Sequence, residues 1–341
     1  MLKKMTLAAL ATTMLASTAL ANGPELFIED FVGTIKIENG ASDTISIIRD
    51  KNMKGVNLAE QRDGLKIDGG ISDPDGNKCK GYYGSYSLGF FKKEKSGEFG
   101  GYEDLEDYPQ ITISAPTDTV LVIKNSIAFL TADNLGGTDL DLRSCGKVRL
   151  GNVEGDLIAN IRGSADLTAQ DVGDVDVDIR GSGDLEVQNA KFVKLSIAGS
   201  GDADFETVQG ADVSVSGSGD IVFENINGSL AAESRGSGDI EADNVSGDLV
   251  YDAGGSGDLD VGDVTGNRIS IDVSGSGDVD IDGGDVQTLT ISASGASGVD
   301  YGGTARTADL IATGASDIYV SKVTGEVRSK ERGAADISVS R

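Results

Sequence analysis

Seven aspartates close short glycine-rich tetrads at nearly constant intervals: Asp166, Asp184, Asp202, Asp220, Asp239, Asp258 and Asp278, spaced 18 to 20 residues apart. Carboxylates repeated in this way offer two kinds of chemistry. Hard cations take carboxylate and carbonyl oxygens, which makes Asp184, Asp202, Asp220, Asp239, Asp258 and Asp278 the candidate calcium ligands. Paired carboxylates also perform acid–base work on glycosidic bonds, but that needs two groups whose surroundings separate their pKa values. Here the same aspartate recurs in every repeat, so no unique pair stands out and no catalysis is expected. The calcium-binding nonapeptide pattern wants Gly-Gly-x-Gly-x-Asp, whereas Asp258 follows Gly254-Gly255-Ser256-Gly257 directly, one residue early. The plainer reading is a solvated acidic edge that keeps the molecule soluble, with no cofactor; calcium is the sharper alternative. With no histidine and two cysteines, zinc sites and Ser-His-Asp triads have almost nothing to be built from.

A second group of residues is suited to recognition. Residues 71–108 hold eight of the chain's 17 aromatics, among them Tyr82, Tyr83, Tyr86, Phe90, Phe91 and Tyr102. Lys78, Lys80, Lys92, Lys93 and Lys95 lie between them. Exposed aromatics stack on sugar rings or anchor protein contacts, and loops carried on rigid scaffolds commonly bear function. Tyr82, Tyr83, Tyr86, Phe90, Phe91, Lys92, Lys93 and Tyr102 are therefore the candidate binding residues. The alternative is a flap that covers the apolar side or N-terminal end of the scaffold.

The tetrads also reveal the elements that position these groups. Gly163-Ser164-Ala165-Asp166 is followed by Gly-Ser-Gly-Asp copies from Gly181 to Asp278. Degenerate copies follow at Gly295-Ala296-Ser297-Gly298, Gly314-Ala315-Ser316-Asp317 and Gly333-Ala334-Ala335-Asp336, and weaker ones precede at Ser144-Cys145-Gly146-Lys147 and Asn125-Ser126-Ile127-Ala128. Between tetrads the apolar residues alternate, as in Leu185 and Val187 and then Val193, Leu195 and Ile197, which marks strands with one buried face. A Gly-Asp corner such as Gly173-Asp174 or Gly247-Asp248 separates the two runs. The chain is thus expected to be all-β, a parallel β-solenoid with two short strands per rung of about 18–20 residues. One rung buries too little to fold alone, whereas stacked rungs share a continuous core. About eleven rungs from residue 125 would make a rod of about 55 Å. Glycine is expected at the corners because a sharp bend calls for positive φ. Arg143, Arg162, Arg180, Arg235 and Arg332 precede their tetrads and are expected to neutralise the acidic ladder across the turn. Charges at Glu326, Arg328, Lys330, Glu331, Arg332 and Arg341 are read as protection of the last open edge.

Lys3 and Lys4, an Ala- and Leu-rich run and Ala19-Leu20-Ala21 form a cleavable Sec signal over residues 1–21. Residues 22–341 are expected to form a single solenoid domain: leading strands over 22–70, the insertion over 71–108 and regular rungs over 109–341. The destination is the periplasm, or secretion to the cell surface, with no membrane span after cleavage. A formal charge of −27 repels nucleic acid and anionic lipid. An oxidising compartment permits one disulfide between Cys79 and Cys145, though spacing alone does not pair them.

These Gly-Ser-Gly-Asp turns, with Phe31-Val32-Gly33-Thr34-Ile35-Lys36-Ile37 and Ile111-Thr112-Ile113-Ser114-Ala115-Pro116 ahead of them, resemble the adhesin-head family of the GIN type found in bacterial envelope proteins. The resemblance implies a β-helix without the catalytic residues of pectin-lyase-like solenoids, and a role in adhesion. No autotransporter translocator barrel is seen in these residues. The expected function is that of an exported, non-enzymatic, adhesin-like protein that binds a cell-surface glycan or envelope protein. The alternatives are a structural protein with a cation-collecting acidic face and a polysaccharide-acting enzyme. The oligomeric state stays open.

Overall fold

The computed structural model describes residues 23–72, 98–99, 103–104 and 107–340. They form an all-β solenoid of parallel stacked coils, about 12 turns in all. Each regular rung begins after its tetrad with a strand such as the one containing Leu185 and Val187, and returns along a second strand such as Val193 to Ile197. Register carries both columns upward without slipping: Leu185 pairs with Ala203, and Val193 with Ala211. Alternation places Leu185, Val187, Val193, Leu195 and Ile197 in the core, each at most 2% exposed. Stacked rungs pair the backbone groups on both edges of every interior strand, and the core becomes one continuous column.

Inside the second corner lies a short paired segment that closes the coil on its third side. Its inward residues are Val153, Val172, Ala190, Val208, Ile226, Val245 and Val264, all buried. Its outward column includes Asn189, Thr207, Asn225, Asn244 and Asp263, paired rung to rung. One inward side chain per rung is too short a run to show period-two alternation, so the sequence pattern showed only the two longer strands.

The first rungs do not stack in chain order. β1 (Glu25–Glu29) and β2 (Val32–Asn39) form one coil. β3 (Ser46–Lys51), β4 (Asn57–Gln61) and β5 (Gly64–Asp68) follow; β6 (Glu98–Phe99) and β7 (Glu103–Asp104) pair only with each other; then come β8 (Gln110–Ala115) and β9 (Val120–Ala132). β1 pairs in parallel with both β5 and β9, and β2 with both β8 and β9. The β1–β2 coil is therefore held between an outer layer, β5 with β8, and the main stack. Beyond that layer β4 and β3 run antiparallel to β5 and β8 and finish the N-terminal end.

The corner glycines have a different cause from the one expected. Gly181, Gly199, Gly217, Gly236, Gly255 and Gly275 do not adopt positive φ. A Cβ there would lie 1.7–1.9 Å from the carbonyl oxygen of the glycine one rung below. Close approach of stacked backbones, not bend handedness, excludes every side chain. Positive φ appears at the tetrads that depart from Gly-Ser-Gly-Asp: 142° at Gly163 in Gly-Ser-Ala-Asp, and 104° at Gly295, 90° at Gly314 and 92° at Gly333, where the tetrad changes to Gly-Ala-Ser or Gly-Ala-Ala. There the third residue turns inward in two copies, leaving Ser297 and Ser316 buried. Ser316 Oγ lies 3.1 Å from the carbonyl oxygens of Ala293 and Thr313, which satisfies its hydroxyl in the core.

Candidate functional site

The aspartate ladder is built by the tetrad corner. With the tetrads stacked in register, each aspartate lies directly above the one before it. Asp202 donates its backbone N–H to Asp184 Oδ1 at 3.1 Å, and Asp220 donates to Asp202 Oδ1 at 2.9 Å. The same bond runs from Asp239 to Asp220, Asp258 to Asp239 and Asp278 to Asp258, at 2.7–2.8 Å. It ends with Gly298 N–H on Asp278 Oδ1. Each aspartate carbonyl in turn accepts an N–H from the rung below, as in Ala203 to Asp220. One oxygen of every ladder carboxylate thus caps an amide that the turn leaves outside the strand ladders. This explains why the aspartate comes immediately after the glycine. Among the described residues no group of three or more His, Cys, Asp or Glu side chains is arranged to hold a metal ion.

A second acidic column runs beside it on the outer face of the first strand: Glu186, Asp204, Glu241, Asp260, Asp280 and Asp300. Val222 interrupts it between Asp204 and Glu241. Partial burial, reinforced by neighbouring carboxylates, raises the pKa of Asp204, Asp260 and Asp300 above the ordinary carboxylate value. Asp166 is raised by burial as well, although the Asp184 backbone N–H pulls the other way.

The arginines ahead of the tetrads do not reach across the turn to the ladder. Arg180 pairs with Asp178 at 2.6 Å, Arg143 and Arg162 reach Asp141, and Arg235 pairs with Glu233. In a strand, residues two apart share a face, so Arg143, Arg180 and Arg235 each meet the carboxylate on their own strand before a turn-spanning one.

The insertion grows out of this same edge. Gly69 and Ile71 donate backbone N–H groups to Glu29 and Asp30, and Thr34 donates to Pro109, which places the two ends of the 71–108 segment at one corner in the column of tetrad turns. Their root is a small apolar cluster of Val32, Tyr108, Ile127 and Cys145, with Ile71 and Phe129 packed against it. Tyr108, one of the eight aromatics of the segment, is buried there and serves as an anchor. Cys145 is disulfide-bonded; Cys79, the partner expected for it, lies outside the described residues. So do Tyr82, Tyr83, Tyr86, Phe90, Phe91, Lys92, Lys93 and Tyr102. Asp30, Asn125 and Ser144 hold positive φ of 50°, 48° and 67° at neighbouring turns, and Asn125 Nδ2 donates to Asp30 Oδ1 at 2.5 Å and to the Ser72 carbonyl at 3.0 Å. Short amide and carboxylate side chains tolerate this backbone best.

The opposite side of the rod carries a groove that the sequence pattern did not single out. It follows the short third segment and has a volume of about 650 Å³ over residues 225–304. A second stretch of about 480 Å³ lies over residues 117–172 on the same side. Asparagines form much of its wall: Asn244 Nδ2 donates to Asn225 Oδ1 at 3.1 Å, and Asn152 N–H to Asn134 Oδ1 at 3.2 Å. A larger depression of about 870 Å³ at the N-terminal end lies between β3 and β4.

A family model described as "Putative auto-transporter adhesin, head GIN domain" matches residues 33–245 and 230–341. The chain belongs to this family. As a GIN head it carries its Gly-Ser-Gly-Asp corners between Gly181 and Asp278, and the caps described above give those corners their physical reason. No curated protein and no solved structure matches the chain.

Proposed function

We propose that this chain is the binding rod of an exported envelope protein, adhesin-like and non-enzymatic, whose contact element is the 71–108 insertion. The observation that carries this reading is the root of that segment. A rigid solenoid opens one corner for it and fixes both ends, with Ile71 and Tyr108 in a dedicated apolar cluster. We take Cys79 as the partner of Cys145, which would pin the aromatic and lysine-rich stretch beside the corner at residues 144–147. Tyr82, Tyr83, Tyr86, Phe90, Phe91 and Tyr102 supply stacking surfaces, and Lys92 and Lys93 supply cationic ones, for a surface glycan or an envelope protein. Sec export to the periplasm or cell surface fits residues 1–21 and the acidic composition.

Binding of mature protein to bacterial envelopes tests this reading. The comparison is a variant with residues 78–103 replaced by a short linker and Cys145→Ser, so that no thiol is stranded. Binding by the intact protein and loss in a variant of unchanged Tm supports the insertion as the contact element; equal binding by both removes it from that role. A second reading, a purely structural rod, is favoured by the ladder carboxylates, which the fold itself uses. Absence of binding to any envelope makes that the better account.

A further inference from the structure

The groove on the short third side departs from the pattern around it. The outward column runs Asn225, Asn244 and Asp263, and then stops at Gly283, with Gly302 and Gly303 in the following rung. The inward column, valine or isoleucine from Val208 to Val264, also gives way, at Gly284. The core is kept full from another strand. Tyr301, fully buried, donates its hydroxyl to the Gly284 carbonyl at 2.9 Å, with the Thr304 carbonyl 3.2 Å away.

Three of these glycines are dictated by packing. A Cβ at Gly284 would lie 1.9 Å from the Val264 carbonyl, at Gly302 2.1 Å from the Asp282 carbonyl, and at Gly303 2.6 Å from the Tyr301 ring. Gly283 is different. The nearest atom to its Cβ would be Asp263 Oδ1 at 2.5 Å, the tip of an exposed side chain, and no backbone oxygen comes closer than 4.0 Å. Backbone sterics would allow the asparagine column to continue there, yet the groove is left open.

The lining chemistry narrows the occupant. Amides of Asn225 and Asn244, hydroxyls of Ser246 and Thr265, and carboxylates of Asp263 and Asp285 face the groove, and no lysine or arginine lines it. Anionic polymers would meet carboxylates on a chain of formal charge −27 and are repelled. Amides, hydroxyls and carboxylates together are donors and acceptors for a ligand rich in hydroxyl groups. The donors repeat along the rod at about 4.8 Å per rung, so they suit an extended chain better than a compact molecule.

We propose that this groove is a subsite for an extended neutral glycan lying along the rod axis over residues 225–304, with Gly283 leaving room for a sugar ring. The inference rests on the surface-binding reading and gives it a ligand class, but it does not depend on the insertion.

The test titrates the full mature protein by calorimetry with neutral hexamers of β-1,4-linked glucose, α-1,4-linked glucose and β-1,4-linked N-acetylglucosamine, and with an anionic oligogalacturonate. The variants are Gly283→Gln and Thr265→Trp, which fill the groove from a half-buried and an exposed position, and the 78–103 replacement. At least one neutral hexamer is expected to bind and the oligogalacturonate not to. Either filling variant, at unchanged Tm, should lose at least tenfold in affinity, while the insertion replacement should bind as the parent does. Should one filling variant fail to fold, the other decides. Absence of neutral-hexamer binding, preference for the anionic oligomer, or binding that survives groove filling overturns the inference. Envelope binding that persists in those cases leaves the surface-binding reading standing; its absence removes both.

Discussion

Asp220 donates its backbone N–H to the carboxylate of Asp202, 18 residues earlier, at 2.9 Å. The bond gives the acidic ladder a role that charge alone would not. Side by side, two carboxylates about 4.8 Å apart repel by roughly 0.9 kcal/mol in water. A charge-assisted hydrogen bond at each rung offsets that cost. The ladder is a row of caps that happens to be anionic.

Acceptor and charge can be separated by substitution. Asp220→Asn keeps an oxygen for the Asp239 N–H and removes a charge, so its stability should equal or exceed that of the parent. Asp220→Ala removes the acceptor and should cost about 0.5–1.5 kcal/mol. Urea denaturation of both variants checks this; equal losses would mean that the cap contributes nothing.

Because one oxygen of each ladder carboxylate already accepts an amide N–H, calcium is expected to add nothing to the hold between rungs. Tm should be the same in excess calcium and in chelator at matched ionic strength. Monovalent salt should raise it by screening repulsion along both acidic columns. A calcium-specific rise would assign the ladder a cation that its hydrogen bonds do not require.

The pH profile follows from the raised carboxylates. Asp166, Asp204, Asp252, Asp260 and Asp300 all titrate above the ordinary value of 3.8, so the folded state holds their protons more tightly than the unfolded state. Their stabilising contribution is full below the unfolded pKa and is lost as pH rises through the folded one. Thermal melts should therefore show these groups adding stability as pH falls through their raised values towards 3.8. At the alkaline end, Tyr251 and Tyr301 are pushed up to about 12 by burial. Stability should then fall as pH rises beyond the ordinary tyrosine value of 10.0, a loss that Tyr301→Phe should reduce.

Two glycines separate the causes of glycine use. At Gly217 a Cβ would sit 1.8 Å from the Gly199 carbonyl, so Gly217→Ala should force adjacent rungs apart and cost more than about 3 kcal/mol. At Gly55 no atom lies within 4 Å and only its φ of 89° disfavours a side chain; Gly55→Ala should cost about 1–2 kcal/mol. Similar losses at both sites would contradict the close-approach explanation.

Tetrad spacing and alternation made the stacked coils legible, because a solenoid repeats its local physics once per rung. The degenerate copy at Ser144 stacks directly on the Gly163 tetrad for the same reason, whereas the one at Asn125 meets it across a register shift. The short third side was not legible, since one inward residue such as Val208 or Ile226 leaves no period to detect. Nor was the position of β1 and β2 between later strands, which depends on pairing across long stretches of chain. The binding residues assigned to the insertion all lie outside the described residues. The groove escaped notice because its signal is an interruption, Gly283 after Asp263, in a column that only the folded register reveals.

The placement of the β1–β2 coil gives the rod a mechanical polarity. From the C-terminal end, tension can unzip the last coil, Val327–Gly333 with Asp336–Val339, along the single ladder that holds each strand. From the N-terminal end, β1 cannot peel in that way, because β5 and β9 grip both of its edges. Force applied there must shear two ladders at once, so a load borne through the N-terminal end meets the stronger grip.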